Sequence, residues 1–176
     1  MTKRKELKQQ EFQVGQADWF MLPATRAVNK SYAHEVAAAD LFVRYYGAFE
    51  AWRYEPKAGS VQADRKMKYE GKHIYFEVDR CHQSASVIRE KIEGYIRYYY
   101  ELERQYGERA RFHVIFDIAN SDPHKVSARI KEIGKVLDEY NRGNQFALSS
   151  HTMLTESPIE DEIIYSPHGA FSLKML

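Results

Sequence analysis

Apolar positions along the chain follow two different periods, and the change from one to the other marks the elements. Between Ser84 and Tyr106, apolar or aromatic residues stand at 88, 92, 95, 99, 102 and 106. Steps of four and three put them on one face only if the segment is helical, and Gly107 provides the stop. Val126, Ile130, Ile133, Leu137 and Tyr140 repeat that spacing in a helix opened by Ser121-Asp122-Pro123. Upstream, AHEVAAADLFVRYYGAF is rich in Ala and free of Gly and Pro until Gly47. It predicts a largely buried helix with Ser31 as N-cap.

Between these helices the period falls to two. EAWRYE (50–55) ends at Pro56, KAGS makes a turn, and VQADRKMKY (61–69) runs into the tight turn Glu70-Gly71. HIYFEVD (73–79) follows, with Ile74, Phe76 and Val78 on one face and Tyr75, Glu77 and Asp79 on the other. RFHVIFDI (111–118) is apolar enough for a buried strand, and QFALSS (145–150) reads as a last short one. The predicted fold class is α/β, in the order α-β-β-β-α-β-α-β, with a mixed central sheet flanked by helices on both faces. The strands at 73–79 and 111–118, joined through a helix, are expected to be parallel with a right-handed crossover. Residues 1–30 read as an arm with at most a short strand at Trp19–Leu22, residues 31–155 as the domain, and residues 156–176 as an acidic, irregular tail.

Composition narrows the setting. With 176 residues and one cysteine, Cys81, the chain suits a single domain in a reducing compartment, and a cytoplasmic location is expected. The basic start MTKRKELKQQ leads into no apolar stretch, so a secretory signal is not expected, and no run is long enough for a membrane span. The net charge of +1 names no partner. Resolved along the chain, however, it is +4 over residues 1–72, zero over 73–149 and −3 over 150–176. Arg65, Lys66, Lys68, Lys72 and Arg80 surround the hairpin and are candidate phosphate contacts.

That hairpin also holds the most suggestive chemistry. Asp64 and Glu77 lie close to mirror positions about Gly71, which makes them near cross-strand neighbours, and Asp79 shares the face of Glu77. Mg²⁺ or Mn²⁺ bound by Asp64, Glu77 and Asp79 is one way to relieve their repulsion. Ordinary pairing with Lys66, Lys68, Lys72 and Arg80 on a half-exposed strand is the other. Asp40, set among apolar neighbours, has Arg44 as an i,i+4 partner. In YIRYYY (95–100), Tyr95 and Tyr99 read as core and the remaining tyrosines as surface or stacking groups. Cys81-His82 lacks the companions of a soft-metal site, and no phosphate-loop, nucleophile-elbow or HExxH motif is present.

An Asp on the second strand and an acidic E-x-D on the third, in this element order, resemble the restriction-endonuclease-like fold of the PD-(D/E)xK nuclease superfamily. More closely, SYAHEVAAADLFVRYY, QAD, YFEVDR and REKIEGYIRYY over residues 31–118 resemble the replication-relaxation family of plasmid and mobile-element proteins. The resemblance implies metal ligands at Asp64 and Glu77, and a helix carboxylate such as Glu35 near the metal, although the N-terminal helix dipole alone also accounts for Glu35. The chain departs from the superfamily pattern at Asp79, where the catalytic Lys would stand, and at Ala63, where Pro would precede the Asp. Lys91 is the first substitute for that Lys and Lys66 the second. Winged-helix domains that commonly precede such cores need more than the 30 residues of the arm.

Three functions follow as expectations. The first is a DNA-acting protein of plasmid replication or mobilisation, with Mg- or Mn-dependent phosphodiester hydrolysis by Asp64, Glu77 and Asp79 and electrostatic help from Lys91 or Lys66. The second is a catalytically inactive DNA-binding or relaxosome-assembly module. The third is a protein-interaction domain that uses the tyrosine surface. DNA, replication or mobilisation proteins and a second copy of the chain are the expected partners.

Overall fold

The computed structural model describes residues 12–13, 32–107, 112–140, 142 and 145–175. Its elements are β1 (Phe12–Gln13), α1 (Tyr32–Tyr45), β2 (Ala51–Tyr54), β3 (Lys57–Ala58), β4 (Val61–Gln62), β5 (Arg65–Tyr69), β6 (Lys72–Asp79) and α2 (Ala85–Tyr106). They continue with β7 (Phe112–Ile118), α3 (Pro123–Tyr140), β8 (Phe146–Ser150), α4 (His151–Glu156), β9 (Ile164–Ser166), β10 (Gly169–Phe171) and a 3₁₀ turn at Leu173–Met175. Eight strands form one mixed sheet in the order β1-β2-β5-β6-β7-β8-β9-β10. The central pairs β6–β7 and β7–β8 are parallel and the outer pairs antiparallel.

Alternation along the strands feeds two apolar layers. Ala37, Ala38, Leu41 and Tyr45 of α1 pack on Trp52, Met67, Ile74, Phe76 and Ile115. On the opposite face, Ile88, Ile92 and Tyr95 of α2 and Ile133, Val136 and Leu137 of α3 cover Tyr75, Val114 and Phe116. Thus the four-three periods of α2 and α3 become one buried stripe each. Ser84 caps α2 by accepting from the Val87 amide, and Gly107 ends it at φ +68°. Gly94 permits the close approach of α2 to the β3–β4 hairpin, since a Cβ there would strike Val61 Cγ2.

Three expectations change. Residues 61–69 do not form one strand: β4 pairs with β3 in a separate two-stranded hairpin, and the chain breaks at Ala63–Asp64 before β5 joins the main sheet. The break is held by Ala63 N–H to Pro56 O and Glu55 N–H to Asp64 O, both 3.0 Å. The irregular tail expected over 156–176 is, across its described residues 156–175, a folded part of the domain, because β9 extends the sheet from β8 and Ile163, Ile164, Phe171 and Leu173 are buried in the α1 layer. Asp40 does not pair with Arg44; Asp40 faces His151, and Arg44 donates to Ser157 O at 2.6 Å. The strand expected at Trp19–Leu22 and the cap at Ser31 lie outside the described residues.

Candidate functional site at the end of the central strands

The site arises where β5 stops pairing while β6 continues. The ladder sets Arg65 opposite Phe76, so Asp64 stands one step beyond it, beside Glu77. Val78 would have found its next backbone acceptor there; instead its N–H donates to Asp64 Oδ2 at 2.9 Å. His34, in the first turns of α1, holds the other oxygen, with Nε2 to Oδ1 at 3.0 Å. Asp64 is thereby fixed at the seam between the two helical layers.

Glu77 points into the α2 layer and is 1% exposed. Lys91 Nζ lies 2.6 Å from its Oε2, and the Tyr95 hydroxyl donates to its Oε1 at 2.6 Å. Lys91 and Tyr95 are one turn apart on the buried side of α2, so the period that builds the core also delivers both donors. Burial pushes the Glu77 carboxyl above its ordinary range; Lys91 pulls it down and the Asp64 charge pushes it further up. Burial opposes the Lys91 ammonium, yet Glu77 outweighs it and holds the lysine pKa above normal. Tyr95 is pushed well above the usual phenol range by burial and remains a donor.

A cleft of about 300 Å³ opens on this group, bordered by His34, Gln62, Asp64, Arg80, Gln83 and Lys91. Asp79, two residues past Glu77 on the same strand face, takes no part in it. Its Oδ2 accepts from Arg129 Nε at 2.8 Å and its Oδ1 from the Cys81 amide at 2.6 Å. Among the described residues, no group of three or more His, Cys, Asp or Glu side chains is arranged to hold a metal ion.

The five cations of the hairpin part company. Arg80 borders the cleft. Arg65 does not reach solvent: it is 0% exposed, stacked 3.9 Å over the Tyr54 ring and directed at Glu35 and the Asp64 carbonyl. This removes it from the phosphate contacts and makes it a brace for the Asp64 backbone. Lys68 pairs with Glu50 at 2.6 Å, and Lys72 begins β6, five residues before Glu77. At about 3.4 Å per residue that is roughly 17 Å from the carboxylate, so the basic tip and the cleft occupy opposite ends of the hairpin. Lys66 sits over the Tyr75 ring at 5.4 Å, outside the cleft. Glu35 accepts from Tyr54 at 2.7 Å and faces the Arg65 guanidinium.

The family model described as replication-relaxation matches residues 22–115, more than half of the chain. The chain belongs to the replication-relaxation family. The matched segment runs from before α1 into β7, so it carries His34, Asp64, Glu77, Lys91 and Tyr95, and the Arg129 that engages Asp79 lies beyond it. No curated protein and no solved structure matches the chain. Among the described residues, no helix is long and apolar enough to cross a membrane.

Sequence reasoning missed one participant of the site, His34, and one buried carboxylate outside it, Asp117. His34 was visible only as half of a His-Glu pair, and helical spacing cannot say which of two adjacent residues faces a strand end. Asp117 had a plain signal, a carboxylate within the apolar run RFHVIFDI. It is 0% exposed in the α1 layer, with His151 Nδ1 2.8 Å from its Oδ2, and His151 Nε2 is 3.5 Å from Asp40 Oδ2.

Proposed function

We propose that this replication-relaxation protein acts on DNA in plasmid replication or mobilisation, through a restriction-endonuclease-like core that hydrolyses phosphodiesters with a divalent metal. The observation that carries this reading is the Lys91–Glu77 contact of 2.6 Å beside Asp64 at an open cleft. It returns a cation from α2 to the carboxylate whose strand position i+2 holds Asp79 instead of Lys.

Asp64 and Glu77 suit Mg²⁺ or Mn²⁺ as a pair. Asp64 borders the cleft and Glu77 lies buried behind Lys91; each charge opposes the other, and such ions take one or two carboxylates and leave other positions to water and phosphate. Held by Asp64 and Glu77, such an ion would supply Lewis-acid stabilisation at the phosphodiester. Lys91 remains cationic and offsets charge developing on the phosphate. Tyr95 and His34 fix the two carboxylates, and Arg80 holds a substrate phosphate. Asp79, tied to Arg129, is a structural anchor for the end of β6 in this reading, not a third ligand.

One observation favours a second reading, a binding or assembly module without turnover. All six carboxylate oxygens of Asp64, Glu77 and Asp79 already accept from protein donors. Melting temperature in Mn²⁺ or Mg²⁺ separates the two. The hydrolytic reading expects stabilisation of the wild type that rises with metal concentration and is lost in Asp64→Ala. Equal melting with and without metal supports the second.

A further inference from the structure

Beside the first cleft lies a second of about 420 Å³, bordered by Asn120, Ser127, Lys131, Ser150 and Thr152 among others. The parallel ladders align Asp79 with Ile118 and Ile118 with Ser150. The ends of β6, β7 and β8 therefore form one row, about 10 Å across at ordinary strand spacing. The first cleft opens at the β6 end of that row and the second at its β7–β8 end. Asn120 Nδ2 donates to Arg80 O at 3.2 Å, so a residue of each cleft's border joins the two. The chain segment between them, Arg80 to His82, leans on α3 through Cys81 Sγ and Lys125 O. Open crevices at the carboxyl ends of parallel strands are where α/β sheets bind ligands.

The chemistry of the second cleft differs from that of the first. Around an apolar patch of Ile118, Pro123, Val126 and Ile130 it offers hydroxyls, an amide and one exposed lysine, and these polar groups are of the kind that contact phosphate and sugar without reading bases. No carboxylate competes from its floor. Asp122, at the start of α3, spends Oδ1 on the His124 and Lys125 amides. The helix end is thus capped by its own side chain, and attraction for an anion falls to Lys131 and the hydroxyls.

The geometry points to this second cleft as a subsite for the sugar-phosphate backbone of the same nucleic-acid strand, one or two nucleotides from the phosphate held at Arg80 and Lys91. This rests on the DNA-acting reading above and adds a path to it: along the ends of β6, β7 and β8, across Cys81, away from the basic tip of the hairpin.

The test is fluorescence anisotropy of the full chain with a labelled single-stranded DNA oligonucleotide over a range of salt. Lys131→Glu is compared with Lys135→Glu, the same charge change one turn along α3 and outside the cleft; both positions are exposed. The subsite predicts that Lys131→Glu weakens binding several-fold and lowers the salt slope by about 0.7, one single-strand phosphate contact, while Lys135→Glu behaves as wild type. It also predicts that the oligonucleotide slows alkylation of Cys81, the one cysteine of the chain. Equal effects of the two substitutions, or unslowed alkylation under saturating DNA, overturn the subsite and leave the first cleft standing. A wild type that binds no DNA at low salt overturns the DNA-acting reading itself.

Discussion

Glu77 and Asp117 occupy neighbouring strands of one sheet, each almost wholly buried, and face opposite layers. Both need a cation, because an isolated carboxylate in an apolar layer is strongly disfavoured. Glu77 takes Lys91, from a helix whose edge leaves a cleft open; Asp117 takes His151, at the start of α4, which also faces Asp40 of α1. A lysine held above its normal pKa stays charged at every working pH, whereas a histidine titrates near neutrality. The same burial therefore yields a standing cation at an accessible cleft on one side and a structural tie that varies with pH on the other. Asp79 is a third outcome, a carboxylate consumed by a buried arginine.

The sharpest way to break this comparison is to remove each cation in turn. Lys91→Met is expected to lower metal-dependent DNA nicking by about 10²–10³-fold, as for loss of one preorganised charge-stabilising donor. His151→Gln should leave the nicking rate unchanged. Comparable losses in both variants would erase the distinction between the two layers.

Of similar size, but in stability and not in rate, is the effect of Arg129→Met. It leaves Asp79 charged and buried, and such changes cost about 3–5 kcal/mol. Urea unfolding followed by circular dichroism should show the midpoint fall without a change in slope. A midpoint within error of wild type would mean that the Cys81 amide alone suffices to hold Asp79.

The smallest effect concerns pH. Burial opposes charge on His151, but Asp117 and Asp40 prevail and raise its pKa above the ordinary 6.5. Asp117 is raised as well, by burial first, with His151 pulling it down. A folded pKa above the unfolded one means stability that is complete below the unfolded value and fades as pH rises through the folded value. Both groups act in this direction, Asp117 from its ordinary 3.8 upward and His151 from 6.5 upward, so the window near neutrality belongs to His151. Unfolding free energy should decline from about pH 6.5 upward, and His151→Gln should flatten the part of that decline due to the imidazole. A stability that rises across this window would contradict the assignment of charged His151 between Asp117 and Asp40.

How much could be read beforehand follows from the range of the interactions involved. The stripes of α2 and α3 and the parallel pair β6–β7 were legible because each rests on local period and a short connection. The break at Ala63–Asp64 was not: alternation is the same whether a strand continues or stops, and only Pro56 and β3 reveal the hairpin that diverts it. The strands β9 and β10 escaped notice because Ile163, Ile164, Phe171 and Leu173 are few and lie among acidic and turn residues. At the site, the Asp64–Glu77 juxtaposition was visible from symmetry about Gly71, and Lys91 from the displaced lysine of a resembling pattern. Arg65 and Asp79 are turned to inward partners that the sequence does not show, for one reason. Their partners, Glu35 and Arg129, are 30 and 50 residues away, and no local pattern says that a strand cation or anion will be drawn inward.

The central claim is that the cleft at Asp64, Glu77 and Lys91 performs metal-dependent chemistry on DNA. Nicking of supercoiled plasmid in Mn²⁺ by the wild type and by Glu77→Ala tests it most directly. The account predicts cleavage by the wild type that chelation stops and that Glu77→Ala loses while remaining folded. Cleavage that survives Glu77→Ala, or a folded wild type that never cleaves, would contradict it.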